Sequence, residues 1–177
     1  MNVFWDRGYH DASLPDLLDG MDISRGSFYK AFGDKRGIFL RALDAYIDDA
    51  VRKVGDMLSA EASPKVAIRG AFSNYADLSS GMDGLRGCFA VLTAAEMLPG
   101  DEEVSVRISR LFRRLQDLFA AAIIRAQVLG EINPARDERT LARFLVCQIQ
   151  GMRILGKAGA DRNDMQTVID IALKSLD

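Results

Sequence analysis

Histidine is almost absent from this chain: His10 is the single one among 177 residues. Carboxylate-bridged metal sites in helical bundles need a Glu-x-x-His pattern, which does not occur here. Cysteine is scarce too. Cys88 and Cys147 are the only two, far apart and without zinc-type spacing. They read as free thiols in a reducing compartment, not as a disulfide framework. The longest strictly apolar run, Leu118 to Ile124, has seven residues, whereas a membrane helix needs about 20. The start, "MNVFWDRGYHD", lacks the basic and apolar regions of a secretory signal. A soluble, cytoplasmic protein is expected. No phosphate-binding loop and no Gly-x-Ser-x-Gly turn appear. The expectation is no catalysis, no cofactor and no metal. An excess of charge of one sign is also missing. With 23 basic and 25 acidic residues the net charge is −2, so any nucleic-acid argument has to be local.

What remains is helix. Four prolines, 49% apolar residues and no alternating β-branched runs give an all-α reading. Breaks fall at Ser63-Pro64, Ser79 to Gly81, Pro99-Gly100, Gly130 to Pro134 and Ala158 to Asp161. They divide the chain into a short helix ending near Arg7, two very short ones over 14–20 and 24–32, and long ones over 35–60, 64–79, 85–97, 102–129, 138–157 and 163–176. Residues 1–45 form a small N-terminal domain in this reading, and 46–177 a helical bundle.

The two shortest helices carry the most information. Ser13 caps the first, with Pro15 in its first turn and Leu14, Leu17 and Leu18 on one face. Gly20 to Ile23 form a turn, and Ser24 caps the second helix, whose Phe28 and Phe32 join Ile23 inward. Two helices joined by so short a turn describe a helix-turn-helix, whose second helix enters the major groove. Its outward residues are Arg25, Gly26, Ser27, Tyr29, Lys30 and Ala31. Arginine grips guanine bidentately, serine bonds base or phosphate, and small residues let the backbone approach. Tyr29 and Lys35 suit phosphate oxygens. Residues 24–41 carry a net +4 and residues 1–23 a net −4. The expected DNA-binding set is Ser13, Ser24, Arg25, Gly26, Ser27, Tyr29, Lys30 and Lys35.

On Gly8-Tyr9, Ser13, Leu14, Leu17, Ile23-Ser24, Gly26-Ser27-Phe28-Tyr29, Phe32, Lys35, Ile38 and Phe39, the sequence resembles the TetR/AcrR family of one-component transcriptional regulators. The resemblance spans residues 4–45. More loosely, "RGCFAVLTAAEM" and "GMRILGKAGADRNDMQTVIDIALKSL" are similar to helices of that family's C-terminal part. It implies a homodimer on a palindromic operator, a ligand pocket in the C-terminal domain, and release of DNA on effector binding, most often as a repressor. Two departures stand out. Asp22 holds a turn position where the family has glycine, and aspartate tolerates the left-handed conformation. The first helix is also shorter than the family's: either the true start lies upstream, or the domain lacks part of its support, which leaves open an alternative, a dimeric ligand-binding or interaction protein with impaired DNA binding.

In the bundle, apolar stripes on the last two helices make Leu141, Leu145, Gln148, Met152, Leu155, Met165, Val168, Ile169, Ala172 and Leu173 the expected dimer interface. Polar and aromatic residues within apolar helices give the effector-binding candidates: Phe72, Tyr75, Cys88, Phe89, Leu92, Glu96, Phe112, Gln116, Phe119, Cys147, Gln148 and Arg153. The effector so implied is a small molecule, aromatic or lipophilic.

Overall fold

Strand-free throughout, the structure, a computed structural model, describes residues 1–177. Ten helices follow one another: α1 (Asn2–Asp11), α2 (Leu14–Met21), α3 (Arg25–Phe32), α4 (Lys35–Ser59), α5 (Pro64–Leu78), α6 (Gly81–Arg86), α7 (Phe89–Met97), α8 (Glu102–Val128), α9 (Glu138–Lys157) and α10 (Arg162–Lys174). Side-chain caps set many of the starts. Ser13 and Asp16 make a reciprocal capping box at α2. Ser24, Ser63 and Asp137 cap α3, α5 and α9, and Asp161 with Asp164 closes a second box at α10.

Most ends agree with the sequence reading to within two residues; the larger departures lie at two glycines. The expected helix over 85–97 is α7 from Phe89, preceded by a short α6 that starts at Gly81, inside an expected break. Gly87, at φ 80°, ends α6 before α7 begins. Near the start, α1 does not stop at Arg7. It kinks at Gly8 (φ 79°, ψ 178°) and continues to Asp11.

The chain packs as two units. The first comprises residues 1–49 and 89–109, so it is larger than the N-terminal segment expected to bind DNA. Aromatic rings explain the addition. Phe4, Phe39 and Phe89 are each 1% exposed. Phe4 and Tyr9 lie 5.2 and 4.7 Å from the Phe39 ring, and Phe89 meets Tyr46 edge-on at 5.6 Å. Ion pairs complete the attachment. Arg36 forks onto Asp101 through Nη1 and Nη2 (2.7 and 3.0 Å) and reaches Glu103 through Nε and Nη2 (3.0 and 2.7 Å). Arg107 donates to Asp44 at 3.2 Å.

The second unit comprises residues 50–88 and 110–177. Its core holds Ile68, Phe72, Phe119, Ile123, Leu145, Ile149 and Met152, all fully buried. The α5–α6 junction packs backbone to backbone. A Cβ on Gly84 would lie 2.6 Å from the Ser79 carbonyl, and one on Gly156 would collide with the same oxygen. Arg153, only 7% exposed, donates to the Leu78 carbonyl and, at 2.7 Å, to that of Gly87. Its cation thus sits at the carbonyl ends of α5 and α6, where the helix dipoles favour positive charge.

This packing sets opposite outcomes for two glycines. Gly156→Ala should destabilise the protein by roughly 1–3 kcal/mol through overpacking. Gly70→Ala, in mid-helix α5 with nothing near a new Cβ, should stabilise it by about 0.5–1 kcal/mol. Urea denaturation separates the two. Acid should act through the ion pairs. Hydrogen bonding to Arg36, then to the Val104 N–H, lowers the Asp101 carboxyl from 3.8 to about 2. The pair's stabilisation is therefore complete above about pH 4 and lost as pH falls through 2. Asp101→Asn should flatten that part of the stability profile, measured between about pH 5 and pH 2.

Candidate nucleic-acid interface

The turn between α2 and α3 is set by one residue. Asp22 adopts φ 51° and ψ 49°, the only non-glycine left-handed backbone in the chain. Its N–H donates to Asp19 O, and that of Ile23 to Leu18 O at 3.2 Å, which satisfies the last carbonyls of α2. Aspartate thus serves in a left-handed position that glycine fills most easily, at the cost of some backbone strain.

Below the turn, Leu17 and Phe28 are buried at 2% and 0% exposure. Phe28 touches Phe32 at 5.6 Å between ring centroids. These anchors orient α3. Arg25, Gly26, Ser27, Tyr29, Lys30 and Ala31 all face solvent, as the sequence implies. No acid lies in the first turn, so the helix N-terminus keeps its positive end free for an anion. A Cβ on Gly26 would meet only the Ser24 hydroxyl, at 4.0 Å, and the backbone is open to a partner there. The Arg25 guanidinium lies 5.8 Å from the Tyr29 ring centre, which gives a flexible side chain a resting place. Ser13 and Ser24 are exposed but occupied. Ser13 Oγ donates to Asp16 at 2.6 Å, and Ser24 Oγ accepts from the Ser27 N–H at 3.2 Å. Any phosphate contact from them is an addition to a capping role.

Lys35 is half-buried. Its Nζ donates to the His10 carbonyl at 3.1 Å and lies 4.8 Å from the Tyr9 ring centre. Next to it, Asp34 caps α4 by accepting from Gly37 N at 2.6 Å. Gly37 has no room for a side chain, because a Cβ would run into the Phe32 carbonyl. Nothing in the local sequence marks that requirement.

The effector-binding candidates do not form one group. Phe89, Leu92 and Glu96 lie in the first unit and the other nine in the second. Phe89 belongs to the aromatic core described above. Glu96 reaches across to α1. Its carboxylate accepts the backbone N–H groups of Tyr9 (2.9 Å) and His10 (2.8 Å), the donors left open by the kink at Gly8. Phe72 and Phe119 stack edge-on at 6.2 Å in the interior. Arg153 is spent on the carbonyls of Leu78 and Gly87. Phe112, Gln116 and Gln148 are half-buried, Cys147 is exposed, and Cys88 is buried. Burial pushes the Tyr75 phenol well above its ordinary value, with Cys88 adding to the shift and Arg153 opposing it. The clefts of the second unit lie elsewhere. One of about 380 Å³ is lined by Ser63, Lys65, Val66, Arg69, Glu131 and Leu173. One of about 390 Å³ is lined by Met57, Ala60, Glu61, Val66, Ala67, Arg69, Gly70 and Ser73. Neither is lined by an effector-binding candidate.

Much of the expected dimer stripe is turned into the chain's own core. Leu141, Leu145, Met152, Met165, Ile169, Ala172 and Leu173 are buried within this one chain. They hold α9 and α10 to their own core. Gln148 and Val168 are half-buried, and Leu155 is 45% exposed. The apolar residues left open on these helices are Phe144, Ile154, Leu155 and Ile171, beside Cys147 and Gly151. The stripe is legible as helical spacing, but spacing does not say which side of the helix faces inward.

No helix is long and apolar enough to cross a membrane. Residues 1–42 match the family "Bacterial regulatory proteins, tetR family", and residues 64–172 match "Tetracyclin repressor-like, C-terminal domain". The chain is 32% identical over 178 residues to the uncharacterized HTH-type transcriptional regulator YezE of Bacillus subtilis, covering 100% of this chain and 92% of that one. It is 28% identical over 175 residues to the HTH-type transcriptional repressor ComR of Escherichia coli, covering 98% and 83%. A cysteine-substituted form of the TetR family regulator CifR, solved with a 26-bp double-strand operator, matches with a TM-score of 0.87 at 29% identity, over 99% of this chain and 92% of that one. Helix-turn-helix geometry, an open and basic α3, and matches to both halves of one family converge: this chain belongs to the TetR family of DNA-binding transcriptional regulators.

Proposed function

We propose that the protein is a repressor that binds a palindromic operator as a homodimer and leaves it when a small molecule enters the second unit. The observation that carries the reading is the first turn of α3. Arg25, Gly26 and Ser27 are presented to solvent there, with no acid in that turn of the helix, while Phe28 is locked in the core. The relative ComR is a repressor by name, and CifR was solved on operator DNA. A cytoplasmic location accompanies this role.

The homodimer reading rests on the open apolar face. Phe144, Cys147, Gly151, Ile154 and Leu155 fall at i, i+3, i+7, i+10 and i+11 on α9, one stripe of a helix. Phe144, Ile154, Leu155 and, on α10, Ile171 are between 37% and 63% exposed. An apolar patch of this kind marks an interface. A second copy is its proposed occupant, because an inverted-repeat operator requires two reading helices about one DNA turn apart.

Two experiments test this. In mobility shifts on duplex fragments from the region upstream of the chain's own gene, Tyr29→Ala and Lys35→Ala should weaken binding to all sequences alike. Arg25→Ala should relax base preference at one position per half-site, costing about 1–3 kcal/mol there. Undiminished affinity in all three would show that α3 is not the reading helix. In sedimentation at micromolar concentration, the wild type should run as a dimer and Ile154→Asp as a monomer of 19.5 kDa. A monomeric wild type would remove the dimer from the account.

A further inference from the structure

Glu96 stands apart from its neighbours on α7. The helix is otherwise apolar apart from Thr93, yet here a carboxylate reaches across to α1 and takes two backbone donors at once. Gly8 permits this in two ways. Its φ of 79° is a conformation side chains disfavour, and a Cβ would lie 2.8 Å from Glu96 Oε2. The segment so held, Tyr9-His10, has a second engagement on its other side. The His10 carbonyl accepts from Lys35 Nζ, and the Tyr9 ring lies beneath the same ammonium. Tyr9 also rests on Phe39, 4.7 Å away. Three elements therefore meet at two residues. The N–H groups point to Glu96, and the carbonyl and ring point to Lys35.

We propose that Glu96 is a positioning residue for DNA binding, holding Tyr9-His10 so that Lys35 is aimed at a phosphate. The proposal rests on the DNA-binding reading of α3 and Lys35. An ammonium has three donors. One goes to His10, and the geometry leaves the others for a partner beyond the surface. Held in this way, the lysine meets a phosphate without first losing the freedom of a long, mobile side chain, the usual cost of such contacts. With Glu96 gone, two N–H groups lose their acceptor and the His10 carbonyl loses its fixed position. Lys35 then reverts to an exposed, freely rotating cation.

The test is operator affinity over a salt series, by fluorescence anisotropy, for wild type, Glu96→Ala, Glu96→Gln, Lys35→Met and the Glu96→Ala/Lys35→Met double variant. Glu96→Ala should weaken binding about tenfold, as expected for one charge-assisted contact. It should also reduce the slope of log K against log salt by about 0.9, one phosphate's share. Lys35→Met should do the same, and the double variant should be no worse than Lys35→Met alone. Glu96→Gln keeps an acceptor for one of the two N–H groups and should fall between wild type and alanine. It carries the test if circular dichroism finds the alanine variant unfolded. Wild-type affinity and slope in the Glu96 variants would overturn the proposal. So would a loss of affinity with unchanged slope that adds to that of Lys35→Met, since this is the mark of general destabilisation. A wild type with no salt-dependent duplex binding would instead remove the DNA-binding reading itself, and the proposal with it.

Discussion

A reading helix has to be held still by something larger than itself, and a unit of some 45 residues buries too little apolar surface to do so alone. In this chain the deficit is met by residues from much later in the sequence. Phe89 enters the aromatic cluster of Phe4, Phe39 and Tyr46, and Arg36 forks onto Asp101 and Glu103 at the start of α8. Burying such a phenylalanine is worth about 1.5–3 kcal/mol. A bidentate arginine pair adds geometric specificity to that energy. The orientation of α3 depends on this attachment. Leu17 and Phe28 are buried in this unit, and the recruited segment fastens α1 and the start of α4 to it.

Electrostatics work on the same local scale. The chain as a whole is slightly acidic, so its long-range field does not draw it to DNA. The positive charge is placed where α3 and the start of α4 face outward, and helix N-termini reinforce it. Two of the acids near that surface are occupied. Asp16 and Asp34 cap helices, and Arg7 pairs with Asp16 at 3.0 Å. These two carboxylates, which would otherwise repel phosphate, are thereby turned into structural acceptors.

Much of this is legible in the sequence alone. The caps at Ser13, Ser24 and Ser63, the left-handed Asp22 and the outward set from Arg25 to Lys30 follow from local rules, which one sequence contains in full. Facts that require two distant segments at once are not legible there. Glu96 has the look of a polar group in an apolar helix, suited to a pocket; its partners lie 86 and 87 residues away. The stripes on α9 and α10 are correctly periodic, but period does not say whether a face meets its own core or a second copy. Leu145 and Met152 turn inward, while Ile154 and Leu155 remain open. The break at Gly87 is hidden because glycine inside a helical pattern is tolerated often enough to pass unnoticed.

The claim on which the rest depends is that the first turn of α3 meets base edges in the major groove, twice, across a two-fold axis. Selection from a random double-stranded pool measures this directly, whatever the operator sequence. The account predicts enrichment of an inverted repeat whose half-site centres lie about 10 bp or a multiple apart, with affinity falling steeply as salt rises. Enrichment of no sequence, or of a single asymmetric site bound with little salt dependence, would contradict it.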